Sequence, residues 1–241
     1  MTTLITEGGP VADDATVTRT GGVPLAPPGT AWPTCADCGG PMRFLAQIVL
    51  DGSGAAVTGG PGPQDRVLVL FACQNRPGEC RDWDARSGAN VALVLAADAL
   101  VPIPLPVRSD PEGREDADPD EDEDDFGDED DEDDEDLLLL GATRAAEAQF
   151  LADAPDFDRA RAAWADRTGR PRTHVLGQLN GAPAWLQNDE TPDCPACAEP
   201  MRLAVQLQEG PDPVTAMNFG SGRAYAFTCS PCAGAAFLWQ C

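Results

Sequence analysis

The sequence predicts an α+β fold, rich in antiparallel strands and internally duplicated. Three observations lead to it. First, the stretch from Gly22 to Gln47 recurs from Gly181 to Gln206 at a constant offset of 159 residues. Gly22, Pro24, Pro33, Cys35, Cys38, Pro41, Met42, Arg43 and Gln47 meet Gly181, Pro183, Pro192, Cys194, Cys197, Pro200, Met201, Arg202 and Gln206. Second, Phe71 and Cys73 are echoed by Phe227 and Cys229, with the offset now 156. Third, short apolar runs of strand type, rather than helical periodicity, follow each copy. A single ungapped register of this length marks a repeated unit.

Taken in order, Met1 to Arg19 reads as a loose lead-in, so residues 1–20 are expected to form a flexible N-terminus. Gly21 to Pro33 holds four prolines and reads as an irregular arm laid over the fold. After the Cys35–Cys38 turn, Met42 to Leu50 reads as a strand, with Met42, Phe44, Ala46 and Ile48 alternating against Arg43 and Gln47. Gly52 to Pro63 is a Gly/Pro loop, and Arg66 to Cys73 is a continuous apolar strand of the type buried on both faces. Asn90 to Ala96 is a further strand, and prolines 102, 104 and 106 close the first repeat, residues 21–109.

Asp110 to Asp136 contains twenty Asp and Glu and one Arg, a charge of −19 out of the chain's −25. Such a segment buries too little apolar surface to offset its chain entropy and is expected to be a disordered linker. Leu139, Ala142, Ala146 and Phe150 recur at steps of three and four, which predicts a helix from about Leu137 to Pro155. A second, short helix is expected with Asp156 as its cap, Phe157, Ala160 and Trp164 on one face, and Gly169 at its end. The second repeat then supplies strands at Met201 to Gln208, Arg223 to Cys229 and Ala235 to Gln240, within a unit spanning 137–241.

The cysteines carry the chemistry. Cys194-x-x-Cys197 and Cys229-x-x-Cys232 are two tight turns, and paired strands can bring four sulfurs to one metal. Cys35 and Cys38 with Cys73 and Cys80 form the parallel set, its second pair separated by six residues. Four soft thiolates with no open position suit structural zinc, so two zinc ions are expected. The alternatives are unbound core cysteines or a redox pair and, for the first set, a copy that has lost its metal. A redox Cys-x-x-Cys belongs to a thioredoxin-like βαβ setting, which the sequence does not offer. Cys241 has no counterpart and reads as a bystander thiol. The fold expected is therefore two zinc-knuckle halves, joined by an acidic linker and a helical segment.

Composition removes several function classes. The chain has no lysine, so a Schiff-base mechanism is excluded, and His174 is its only histidine. His174 reads as a structural residue. Trp83 and Trp239 read as core residues rather than stacking platforms. Gln47 and Gln206, on strands just past each knuckle, read as bonding to nearby backbone, with lining a cleft as the alternative; Arg43 and Arg202 read as offsetting the charge of the thiolate clusters, with drawing anions as the alternative. Gly21-Gly22 and Gly59-Gly60 lack the strand–turn–helix setting of a phosphate loop. The N-terminus has no secretory character and no apolar run reaches a membrane span, so the expected location is the cytoplasm, with no membrane partner.

These motifs carry a resemblance. Gly-x-Pro, Cys-x-x-Cys, Pro-Met-x-x-x-x-Gln, a Phe-x-Cys strand and a terminal Trp resemble the bacterial YwqG-like domain of unknown function, most of all from His174 (HVLGQLNGAPAWLQ) to Gln240 (AAFLWQ). The first copy, through Trp83, is similar to the eukaryotic programmed-cell-death-2-like proteins, whose acidic linker between halves is also similar. No separate zinc-finger insertion is visible. That family includes dedicated chaperones of a small-subunit ribosomal protein, so the resemblance implies a chaperone- or adaptor-like role.

The function expected is that of a non-enzymatic, zinc-stabilised binding protein that engages a basic protein partner, with no catalytic residues. An immunity-type inhibitor of a basic toxin is one alternative. A metal-dependent hydrolase is a second, disfavoured by all-cysteine sites. A nucleic-acid-binding zinc ribbon is a third, disfavoured because the chain outside the tract is still net negative.

Overall fold

A computed structural model describes residues 2–106 and 138–241. The acidic linker, residues 110–136, lies outside the described residues. Thirteen strands are described: β1 (Thr2–Pro10), β2 (Arg19–Thr20), β3 (Leu25–Ala26), β4 (Arg43–Leu50), β5 (Ala56–Val57), β6 (Arg66–Ala72), β7 (Asn90–Ala96), β8 (Val101–Pro102), β9 (Arg144–Leu151), β10 (Val175–Leu179), β11 (Arg202–Leu207), β12 (Arg223–Cys229) and β13 (Gly234–Gln240). Helix α1 spans Phe157–Thr168.

Eleven strands form one sheet in the order β13-β12-β11-β10-β1-β9-β2-β4-β6-β7, with β5 attached to β4. Every pairing in it is antiparallel. Its end strands, β7 and β13, lie side by side, so the sheet curls into a nearly closed barrel. The fold is thus mostly antiparallel strand, with one α-helix among the described residues. Inside the curl, Ile48 of β4 and Leu70 of β6 pack with Val205, Ala226 and Phe237 of β11 to β13, a single core shared by both cysteine-bearing regions.

The centre of the sheet overturns two expectations. The N-terminal segment read as a loose lead-in is β1, in which Leu4 and Ile5 are fully buried. The segment read as a helix through Leu139, Ala142, Ala146 and Phe150 is instead β9. It pairs with β1 from Thr2↔Leu151 to Pro10↔Arg144, and with β2 at Arg19↔Ala145. A local pattern of Ala and Glu favours helix, but an open slot between two strands offers backbone hydrogen bonds on both edges, and tertiary context decides. Phe150, placed on the apolar face of that helix by its spacing, is 60% exposed.

The remaining elements follow the sequence more closely. β4, β6, β7, β11, β12 and β13 fall where the apolar runs place them. β4 is buried on both faces instead of alternating, because the proline-rich arm covers its outer side. There Trp32 packs edge-on to Phe71 at 5.5 Å, and Phe71 lies 5.7 Å from Phe44. Asp156 caps α1 by accepting from the Arg159 amide at 2.9 Å. Gly169 ends it with φ of 69°, its amide donating to Ala165. Phe157, Ala160 and Trp164, three and four residues apart, bury against Leu4 and Val175.

The β4–β5 hairpin reaches across to the second cysteine region. Asn180 receives the Ala56 amide on Oδ1 at 2.8 Å and returns Nδ2 to the Ala56 carbonyl at 2.9 Å. Gly54, with φ of 83°, approaches Ser230 so closely that a Cβ would fall 2.1 Å from its hydroxyl.

Leu4 joins the sheet centre to the helix, so Leu4→Ala should cost about 2–5 kcal/mol of unfolding free energy, the range for a buried leucine left as a cavity. Urea denaturation followed by circular dichroism measures it. A loss below about 0.5 kcal/mol would place β1 at a frayed edge instead of the centre.

Candidate metal centres

One tight turn begins each centre, and the two repeat bond for bond. In the first, the Gly39 amide donates to the Cys35 carbonyl at 2.8 Å and the Cys35 amide to Gly40 at 2.9 Å. In the second, Ala198 donates to Cys194 at 2.8 Å and Cys194 to Glu199 at 2.8 Å. Bridges Thr34↔Pro41 and Asp193↔Pro200 close the two turns, and the Met42 and Met201 amides reach back to Pro33 and Pro192. Gly39 takes the left-handed conformation that glycine adopts freely; Ala198 holds it at φ of 59°, against its own Cβ.

The second pair of each set arrives on β6 or β12. Both strands pair with an irregular neighbour: β4 shifts register between Phe44 and Ala46, and β11 between Leu203 and Val205. Cys229 and Cys232 flank the β12–β13 turn, where Ala233 has φ of 53°. Cys73 and Cys80 flank a longer loop that Arg81 ties back, its guanidinium meeting Asp37 between the first two cysteines at 2.6 Å. The Arg81 hydrogen bonds hold the Asp37 carboxyl below the usual carboxylate range.

The structure brings together all eight cysteines singled out by spacing. Cys35, Cys38, Cys73 and Cys80 have their sulfurs within 4.8 Å of one another, as do Cys194, Cys197, Cys229 and Cys232. A tetrahedral metal with bonds of about 2.3 Å to sulfur sets sulfur–sulfur edges of about 3.8 Å. Cys38 to Cys73 and Cys197 to Cys229 both measure 3.7 Å. Each donor set therefore fits one tetrahedral ion.

The electrostatics point the same way. Burial pushes the Cys38 thiol up, but the Gly40 amide and the neighbouring sulfurs outweigh it and bring it to about 7. The amides of Ala196 and Cys197 bring Cys194 to about 7. Burial pushes Cys73 up to about 11, and the neighbouring Cys197 and Cys229 sulfurs push Cys232 up to about 12. Four thiols crowded together cannot all ionise near neutrality unless a cation takes up their charge, and metal binding would release those protons.

The two centres differ in exposure. Cys35, Cys73 and Cys80 are buried and Cys38 half-buried, whereas Cys197 and Cys232 are exposed. Asn75 explains part of the difference: its Nδ2 donates to the Cys73 sulfur at 3.3 Å, to the Cys38 sulfur at 3.6 Å and to the Pro41 carbonyl at 3.0 Å. The matching position two residues after Cys229 is Pro231, which has no donor. Spacing does not reveal Asn75; its place two residues past a ligand-type cysteine is the one signal the sequence carries.

The other singled-out residues fall as follows. Gln47 and Gln206 are both fully buried. Their Oε1 atoms accept from the arms that precede each centre, at Leu25 and Ala184. Arg43 donates to Gln74 at 3.0 Å and to the Leu139 carbonyl at 3.1 Å, while Arg202 stays exposed beside the second centre. His174 meets Arg170 at 3.0 Å through Nδ1. Trp239 packs against the shared core, but Trp83, read as a core residue, is 46% exposed. Cys241 is exposed and belongs to neither cluster.

In reduced, metal-free protein, Cys197, Cys232 and Cys241 should react with an aromatic disulfide reagent well before Cys35, Cys73 and Cys80. Mass spectrometry of the labelled peptides reads the order. Adding a tetrahedral divalent metal should protect Cys197 and Cys232 and leave Cys241 reactive; equal protection of all three would place Cys241 in the second centre.

The chain belongs to the family described as "Domain of unknown function (DUF1963)", whose profile matches residues 18–231 and so takes in the first centre whole and the second up to Cys229, ending just before Cys232. Over 66 residues it is also 35% identical to "Uncharacterized protein YpfL" of Salmonella typhimurium. That match covers 27% of this chain and 15% of the relative, so the chain spans a small part of that protein's length. Among the described residues, no helix is long and apolar enough to cross a membrane.

Proposed function

We propose that this member of the family is a non-enzymatic binding protein, stabilised by two structural zinc ions, that engages a basic protein partner. The observation that carries the reading is the pair of all-cysteine clusters. Each supplies four thiolates to one tetrahedron and leaves no position for an activated water, which a zinc hydrolase needs. Zinc is the metal that four soft thiolates in a closed tetrahedron suit best. The repeated hydrogen bonds support reading the two centres as copies of one ancestral half, and the chaperone- or adaptor-like resemblance belongs to the same proposal.

The partner's chemistry comes from charge. The tract from Asp110 to Asp136 concentrates −19. A local field of that sign gathers arginine- and lysine-rich proteins and speeds their association. At physiological salt, charges more than about 8 Å apart are screened, so the effect is strongest at low salt.

Elemental analysis of purified protein should give two zinc ions per chain. Cys73→Ser should lower this to one and unfold the region around Trp32 and Phe71. A ratio of zero would remove the reading. Replacing 110–136 by a neutral Gly/Ser linker of equal length should leave zinc content and thermal stability nearly unchanged. It should also slow association with an arginine-rich partner several-fold at low salt, a difference that shrinks as salt rises. Rates that match the wild type across salt would leave the tract as a spacer.

A further inference from the structure

A groove of about 450 Å³ opens on the seam where the two end strands of the sheet meet. One wall is the loop that follows Cys80, carrying Trp83 and Asp84; the other is the segment that leads into Cys194, carrying Glu190 and Asp193. Pro192 and the buried Leu238 complete an apolar floor. Among the described residues, Trp83 is one of the few large apolar side chains left exposed, and it lies inside this groove. The rim sets three carboxylates against one guanidinium, that of Arg86.

The groove is pre-shaped. Asn90, buried at the start of β7, donates Nδ2 to the carbonyls of Asp82 at 2.8 Å and Asp84 at 3.1 Å, which fixes the Trp83 loop. Gln240, buried at the end of β13, mirrors it across the seam. Its Oε1 accepts from the amides of Leu186 and Gln187, and its Nε2 donates to the Asn188 carbonyl and to Glu190 Oε2, both at 2.9 Å. The Trp239 amide donates to the Trp83 carbonyl at 3.3 Å and joins the walls. Loops held by buried amides lose little freedom when something docks between them.

We propose that this groove is the docking site for an arginine side chain on an extended segment of the basic partner. The proposal rests on the basic-partner reading above. A planar guanidinium stacks on the Trp83 ring, and Asp193 and Glu190 accept its N–H groups from the opposite wall; arginine suits such a site better than lysine because it stacks and forks at once. The acidic tract gathers the partner at long range, and the groove fixes its register.

The test uses the full chain and a short peptide of alternating arginine and serine, with a citrulline-for-arginine peptide as the neutral isostere. Titration calorimetry at physiological salt should show binding of the first and none of the second. Trp83→Ala and Asp193→Asn should each weaken it about fivefold, the order expected of one exposed cation–aromatic contact or one rim carboxylate. Trp83→Phe should restore part of the loss. Zinc content and circular dichroism confirm that each variant folds. At this salt, where the tract's field is largely screened, the neutral-linker protein should keep its affinity within about twofold, its several-fold slower association appearing only at low salt. If the groove variants bind like the wild type and the neutral-linker protein loses the peptide, the basic-partner reading stands and the groove is overturned. If no protein binds the arginine peptide, both fail. If the protein self-associates and Trp83→Ala dissolves the dimer, the groove's occupant is a second copy and the proposal is overturned.

Discussion

The pairing of β1 with β9 is the constraint on which the rest of the structure depends. Each cysteine-bearing region has a four-strand run of its own, β2-β4-β6-β7 and β10-β11-β12-β13. In each, a longer strand precedes the run in sequence: β1 before β2, β9 before β10. Neither strand stays with the run it precedes. β1 hydrogen-bonds to β10 and β9 to β2, and the two bond to each other along nearly their full length. Without this exchange, β2 and β10 would be bare edges, each with a row of unsatisfied backbone groups. With it, the two runs become one sheet that curls until β7 meets β13, and the inner faces share one core. The arrangement puts both cysteine centres on one continuous sheet with one shared core.

The two regions also keep one bond at matching positions while the residue that makes it differs. Arg19 pairs with Gln47 in the first run, as Gln178 pairs with Gln206 in the second. Arg19 donates Nη2 to the Val23 carbonyl at 2.7 Å; Gln178 donates Nε2 to the Ala182 carbonyl at 2.8 Å, the same bond to the same part of the arm. The substitution exchanges a neutral amide for a buried cation. Burial pulls the Arg19 guanidinium down to about 10, and Asp13 and Asp14 oppose that fall. Thr143 links the two sides, receiving Arg19 Nη1 at 3.4 Å and donating to Asp13 at 2.6 Å. A buried charge is tolerable here because it is hydrogen-bonded and faced by carboxylates.

Much of this was readable in the sequence, and what was not has a physical reason. The cysteine spacing and the constant offset located both centres, since a tight turn and a strand pair are local objects with local signatures. The short helix was readable for the same reason, with Asp156 and Gly169 marking its ends. β1 and β9 were not. MTTLITEGGP has too little apolar alternation to announce a central strand, and RAAEAQFL has helical spacing and helix-forming residues. Their conformation is set by partners far away in the chain, as in Thr3↔Phe150 and Arg19↔Ala145. The asymmetry between the centres was hidden too, because Asn75 and Pro231 look like ordinary loop residues until the sulfurs are placed.

The seam between β7 and β13 is where these constraints converge. Trp83 lies three residues after Cys80 and Asp193 immediately before Cys194, so each wall of the groove is anchored by a different cysteine centre. The walls face each other only because the sheet closes, and it closes only because β1 and β9 exchange. In the proposed scheme, metal at the two centres therefore does more than stabilise separate knuckles. It would add, at the far end of each wall, to what Asn90 and Gln240 already hold. Loss of metal from the more exposed second centre would loosen the Glu190–Asp193 wall while the Trp83 wall, held by the buried first centre, kept its shape. A binding surface divided between a protected and an exposed centre in this way couples recognition to the occupancy of one of them, with no change of fold required elsewhere.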